Sequence, residues 1–229
     1  LISVLVSLYS FELILNIKHI YNKPVSLFNY YEKQIKKNKD IVVTVPPMQH
    51  FNQKDIFPLS GISKSLTLYC NENGYFSKYM SDRYGFNNPD NVWDFNYIDI
   101  LIIGDSFAHG ACVNRPYDIA SLLRNKTNRN VISVAYSDNG PLIELATLRE
   151  FFTTNTNIVL WFYYEGNDLE GIIKEKQNQI LVKYLNNSKF TQNIKNKQSK
   201  IDMLGNELIK NKFNKKKENK FSLNKIIND

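Results

Sequence analysis

The sequence predicts an α/β domain built on a parallel sheet, and three observations carry that expectation. Short apolar runs recur at residues 98–103, 130–136 and 157–165, helical patterns fill the intervals between them, and a polar cluster follows each run. Strand, helix, strand, helix, strand in that order calls for parallel strands joined by crossovers.

Each element has a local reason. The run Ile98–Ile103 is continuous and ends at Gly104, as expected of a strand buried on both faces. Pro116 to Arg124 reads as a helix with Pro near its first turn. Asn130 to Tyr136 is a second strand, followed by the turn-forming Ser137-Asp138-Asn139-Gly140. From Pro141 to Phe152, Leu142, Leu145, Leu148, Phe151 and Phe152 recur at helical spacing. A third strand, 157–165, ends at Gly166-Asn167-Asp168, and a further helix starts near Leu169.

The polar clusters Asp105-Ser106, Ser137-Asp138-Asn139 and Gly166-Asn167-Asp168 therefore all sit at carboxyl ends of strands. In an open α/β sheet those ends lie side by side, and ligands bind in the crevice outside them. Three loops far apart in the chain are expected to converge on one site.

Outside this block the chain is less regular. Residues 18–60 read as a connector with one strand at 41–45, ending at Pro46-Pro47. Residues 61–97, rich in Asn, Gly and aromatics, suit short hairpins packed on a core. The expected organisation is 1–17, 18–60, a main domain at 61–190, and a Lys/Asn-rich tail or insertion at 191–229.

Composition narrows the function classes. The chain has 229 residues, 43% of them apolar, enough to bury one α/β core but hardly two. Its net charge of +7 divides unevenly: residues 1–171 carry 15 Lys/Arg against 17 Asp/Glu, and residues 172–229 carry 14 Lys against 5 acids. The basic excess belongs to a tail with few aromatics for base stacking, so no nucleic-acid partner is expected. Cys70 and Cys112 are too few for a disulfide scaffold and carry no metal-ligand spacing. With only His19, His50 and His109 besides, neither a metal nor a cofactor is expected.

The first 17 residues are apolar apart from Ser, Tyr, Asn and Glu12. They read as most of a membrane helix whose beginning is missing, or as a buried core helix, which Glu12 favours. A cleaved signal peptide is disfavoured because the first Ala is Ala108. Lys18, Lys23, Lys33, Lys36 and Lys37 would favour a cytoplasmic flank, but the preceding flank is needed to weigh them.

Gly104-Asp105-Ser106-Phe107 is a strand-to-helix turn with a hydroxyl at its tip, a setting that suits an exposed nucleophile beside backbone N–H donors. The plain alternative is that Asp105 or Ser106 only caps the helix. Together with the polar turn at 137–140 and with Gly166-Asn167-Asp168, this segment resembles the SGNH (GDSL-type) hydrolase family. Asp82-Arg83-Tyr84-Gly85-Phe86-Asn87-Asn88-Pro89-Asp90 is similar to a lead-in of members linked to surface polysaccharide modification. The resemblance spans roughly 61–190.

The resemblance implies a flavodoxin-like three-layer α/β/α fold with a parallel sheet, here incomplete at the C-terminus. It implies a serine esterase acting on acyl esters, O-acetyl esters of a cell-envelope glycan above all, with an acylated carbohydrate as partner. Ser106 would be the nucleophile. The Asn167 side chain and a backbone N–H at Asp138 or Gly140 would form the oxyanion hole. The protein would be membrane-anchored through its N-terminal helix, with the catalytic domain periplasmic or extracellular. An O-acetyltransferase using the same site, and a non-catalytic glycan-binding or scaffold homologue, are the alternatives. A nucleotide binder is disfavoured because Asp105 stands where a phosphate would sit.

Two departures from the family pattern matter. Asp138 stands where the second motif has Gly. No D-x-x-H motif follows, and no histidine follows His109. The catalytic Asp and His are therefore expected beyond Asp229. His109 is expected at the rim of the site or facing solvent rather than as the base, and Cys112 behind the nucleophile turn. Trp161, Phe162, Tyr163 and Tyr164 are expected as core, and Glu165 as a solvated strand-end carboxylate near the site mouth.

Overall fold

The computed structural model describes residues 2–21, 25–166 and 168–228. In chain order the elements are α1 (Ile2–Tyr21), α2 (Leu27–Ile35), β1 (Ile41–Val43), β2 (Leu66–Leu68), β3 (Lys78–Met80), β4 (Ile98–Ile103), α3 (Ser106–His109), α4 (Ile119–Thr127), β5 (Val131–Ser133), α5 (Pro141–Phe151), β6 (Thr156–Trp161), α6 (Asp168–Glu175), α7 (Gln179–Asn186) and α8 (Gln198–Asn228). The chain is a mixed α/β protein with two three-stranded sheets among the described residues.

The main sheet has the order β5-β4-β6 and is wholly parallel. Ile100 pairs with Val131 on one side and Ile158 on the other, so β4 lies at the centre and is buried along its length. Helices cover both faces. Leu101, Ile103, Ile132 and Val134 pack under α5 through Leu142, Ile143, Ala146 and Phe151. On the other face Ile100, Ile102 and Val131 meet Ile119, Ala120 and Leu123 of α4. This alternation is why β4 is apolar at nearly every position.

The second sheet takes in residues read from sequence as connector. β1 pairs in parallel with β2, and β2 pairs antiparallel with β3. Ile41, Val42 and Val43 are all buried, in a cluster with Tyr31, Leu68 and Ile209. Thus α2 and β1 are part of the folded body, and the expected strand at 41–45 is found three residues long.

The tail also differs from expectation in its first half. Glu150 at the end of α5 accepts hydrogen bonds from the Tyr184 hydroxyl, Thr191 Oγ1 (2.8 Å), the Gln192 N–H (2.6 Å) and the Ile194 N–H (3.0 Å). That hub leads the chain into α8, where Ile201, Leu204 and Ile209 are buried and Phe213 meets the rings of Phe28 and Tyr31. The high Lys and Asn content hides an apolar stripe at helical spacing, and the stripe governs packing.

The described side chains of α1 are all exposed, Val4, Val6, Leu8, Phe11, Leu13 and Ile14 among them, so these positions are not a buried core helix. Among the described residues no helix is long and apolar enough to cross a membrane.

Candidate functional site

The turn that carries Ser106 forms because β4 ends on a glycine. Gly104 has φ +153°, and a Cβ there would lie 2.9 Å from Ala108 Cβ and 3.0 Å from the Phe162 carbonyl oxygen. Only a residue without a side chain lets the exit of β6 approach so closely. The next residue, Asp105, is buried and caps α3 by accepting the Phe107 N–H at 3.0 Å. Ser106 follows at the first position of α3, half-buried, and Phe107 is 62% exposed.

Both neighbouring loops meet this turn. Tyr136 N–H donates to the Gly104 carbonyl at 3.2 Å, and Phe162 N–H donates to the Ile103 carbonyl at 2.9 Å. The rings of Phe107 and Tyr164 have centroids 5.3 Å apart. The expected convergence of loops at the carboxyl ends of β4, β5 and β6 is what the backbone shows. Asn167, the expected oxyanion-hole side chain, lies outside the described residues.

Of the two backbone donors expected from the second loop, Gly140 is already engaged. Its N–H donates to Glu175 Oε1 at 2.9 Å, and the Leu142 N–H donates to Glu175 Oε2 at 2.8 Å, so a buried carboxylate caps α5. A Cβ on Gly140 would lie 2.7 Å from that carboxylate, which is why glycine stands there. Asp138 is the other candidate. It is exposed, adopts φ +62°, and among the described residues nothing accepts its N–H. Asn139 between them is buried, and among the described residues neither of its amide atoms has a hydrogen-bond partner. A cavity of about 250 Å³ opens here, lined by Asp138, Asn139, Gly140, Glu170 and Lys174. A larger one, about 560 Å³, lies away from the loops, against Val159 in mid-β6 with Leu148, Phe152 and Phe190.

Buried carboxylates back the site. Glu144 is 0% exposed and accepts the Trp161 indole N–H at 2.6 Å. Burial pushes its carboxyl up to about 8, opposed by that hydrogen bond and helped by Asp168, Asp105 and Glu175 nearby. Glu175 is likewise raised by burial, against the pull of the N–H groups it accepts. Asp168, also buried, accepts the Tyr164 N–H at 2.7 Å and so shapes the third loop.

His109 is neither at the rim nor facing solvent. It is 1% exposed, stacks on Tyr136 with centroids 4.6 Å apart, lies 4.7 Å from the Tyr69 ring, and bonds Tyr79 Oη through Nε2 at 3.0 Å. Burial lowers its pKa to about 3, so the ring is neutral and a weak proton acceptor. His109, the fourth residue of α3, faces the protein interior among Tyr69, Tyr79 and Tyr136, which spacing alone does not reveal.

The segment 82–90 is a brace beneath this turn. Asp82, fully buried, accepts from the Tyr84 and Phe86 N–H groups, Asn88 Nδ2 and Trp93 Nε1, all at 2.8–2.9 Å. Asn88 also donates to the Ser133 carbonyl at 2.8 Å and accepts the Ser133 N–H at 3.0 Å, tying the segment to β5. Asn87 Nδ2 donates to the His109 carbonyl at 3.0 Å, at the end of α3.

Cys112 is bonded to Cys70, closing a loop across a sequence separation of 42. Two isolated cysteines gave no spacing signal for that pairing. Trp161, Phe162, Tyr163 and Tyr164 are 37–51% exposed, not core, because β6 is an edge strand and nothing among the described residues pairs with its outer side. Glu165 is exposed as expected. Among the described residues no group of three or more His, Cys, Asp or Glu is placed to hold a metal ion.

No family model, no curated protein and no solved structure matches this chain.

Proposed function

We propose that the loops after β4, β5 and β6 form a serine ester-transfer site of the SGNH type, acting on acyl esters of a glycan. The observation that carries this reading is Ser106 itself. It is a half-buried hydroxyl on a glycine-dependent turn, opening α3, with the unengaged Asp138 N–H on the adjoining loop. Ser106 Oγ attacks the ester carbonyl while its proton passes to a general base, a role imidazole from solution can fill, and that base returns the proton to the departing alcohol. The tetrahedral oxyanion is held by the Ser106 and Asp138 N–H groups and by the Asn167 amide, and it collapses with loss of the alcohol. Water then releases the acid, or a sugar hydroxyl takes the acyl group in a transferase. The acetyl and glycan parts of this reading rest on the resemblance in the sequence.

His109 and His50 are both buried, and burial lowers both pKa values, which makes each a poor proton acceptor. That observation favours the second reading, a glycan-binding homologue without turnover. The localisation proposed is an oxidising compartment at a membrane surface. The Cys70–Cys112 bond supports the first part and the exposed apolar residues of α1 the second.

Adding imidazole to the solution tests the esterase against the binding module. If the oxyanion donors are in place, imidazole accelerates p-nitrophenyl acetate hydrolysis by the protein beyond its own background rate, and Ser106→Ala removes the excess. No Ser106-dependent excess at any imidazole concentration favours the non-catalytic reading.

A further inference from the structure

Two exposed rings stand at the mouth of the site. Phe107 directly follows Ser106 and is 62% exposed, although its neighbours Ala108 and His109 are buried. Tyr164, at the exit of β6, is 47% exposed, with its ring centroid 5.3 Å from that of Phe107 and the planes 59° apart. The Tyr164 ring is folded over the backbone of Gly166, where a Cβ would lie 2.6 Å from it. Glycine there lets the ring lie across the third loop and reach the first. The pair thus spans two of the three loops, one residue from the nucleophile.

The surroundings of this pair define what fits it. Apolar ring faces left in water favour a ligand with an apolar face of similar size. The exposed charged residues on the adjoining loops and the start of α6 are Asp138, Glu165 and Glu170, with Lys174 one turn further on. Three acids against one lysine on these segments disfavour an anionic ligand, and their carboxylates accept hydrogen bonds from hydroxyl groups. A pyranose has a C–H face to lay on an aromatic ring and hydroxyls at its rim.

We propose that Phe107 and Tyr164 form the stacking floor for an uncharged acylated sugar ring, and that the acidic mouth selects it over uronic acids. The proposal rests on the ester-transfer reading of Ser106 for the placing of the acyl group, but the stacking is measurable without turnover.

Saturation-transfer NMR on the whole chain tests it, with methyl 6-O-acetyl-glucopyranoside as the neutral probe and a mono-O-acetylated methyl glucuronoside as the anionic one. The neutral probe is expected to receive saturation at its ring C–H protons. Phe107→Ala and Tyr164→Ala should each weaken its binding by roughly three- to tenfold, the scale of one aromatic contact. Phe107→Tyr should retain it. The glucuronoside should bind more weakly, with the gap closing as salt is raised. Both positions are exposed, and an unchanged amide spectrum will show that the variants remain folded. Alanine variants that bind as wild type does, absence of binding by the neutral probe, or preference for the anionic one each overturn the proposal. Reaction of Ser106 with a fluorophosphonate is scored separately. A reactive Ser106 without ring binding removes this inference alone, and ring binding without a reactive Ser106 removes the ester-transfer reading alone.

Discussion

Glu175 accepts the Gly140 N–H at 2.9 Å, across 35 residues of chain, and its second oxygen accepts the Leu142 N–H at 2.8 Å. One buried carboxylate on α6 therefore caps α5 and shapes the turn that carries Asp138. Glu175→Ala should orphan both donors and cost about 2–3 kcal/mol in urea unfolding, while Glu175→Gln, keeping one acceptor, should cost about half as much.

Asp138 occupies φ +62° with a carboxylate beside the place where the oxyanion would develop. Asp138→Gly relieves the left-handed backbone and removes the like charge. It should raise the Ser106-dependent, imidazole-assisted rate of ester hydrolysis several-fold with stability unchanged or slightly increased. A fall in that rate would show that the carboxylate assists instead.

Two buried groups act on stability in opposite pH windows. Glu144 is raised from 4.5 to about 8 in the folded protein, so the folded state holds the proton more firmly and stability is lost as pH rises across that range. His109 is lowered from 6.5 to about 3, so stability is lost as pH falls across that range. Thermal melts should show Glu144→Gln flattening the alkaline side of the profile and His109→Phe flattening the acid side. His109→Phe should also cost about 0.5–1.5 kcal/mol for the lost hydrogen bond to Tyr79, whose hydroxyl keeps Tyr136 and Thr44 as partners.

The Cys70–Cys112 bond joins the irregular segment after β2 to the segment after α3. For a loop of this length, reduction should cost about 3–4 kcal/mol. Thiol counting under denaturing, non-reducing conditions should find no free cysteine, and reductant should lower the melting temperature.

Much of the main sheet was legible because burial on both faces leaves an unmistakable run such as Ile98–Ile103, and because Gly104, Gly140 and Gly166 punctuate the strand ends. The turn carrying Ser106 was legible for the same reason. What was not legible depends on contacts distant in sequence. Glu175 looked like one more charge in a basic tail until the fold set it against Gly140. His109 is polar by type but buried among the rings of Tyr69, Tyr79 and Tyr136, which come from distant parts of the chain. Trp161 through Tyr164 carry the composition of a core strand, yet β6 is at the sheet edge, and composition does not encode strand order. The apolar stripe of α8 was masked by the lysines between its members.

The central claim is that Ser106 is a nucleophile. Incubation with a fluorophosphonate, followed by peptide mass spectrometry, tests it most directly. The account predicts a single adduct on Ser106, slow alone, faster with added imidazole, and absent from Ser106→Ala. An unmodified Ser106 under both conditions, or an adduct carried by another residue, would contradict it.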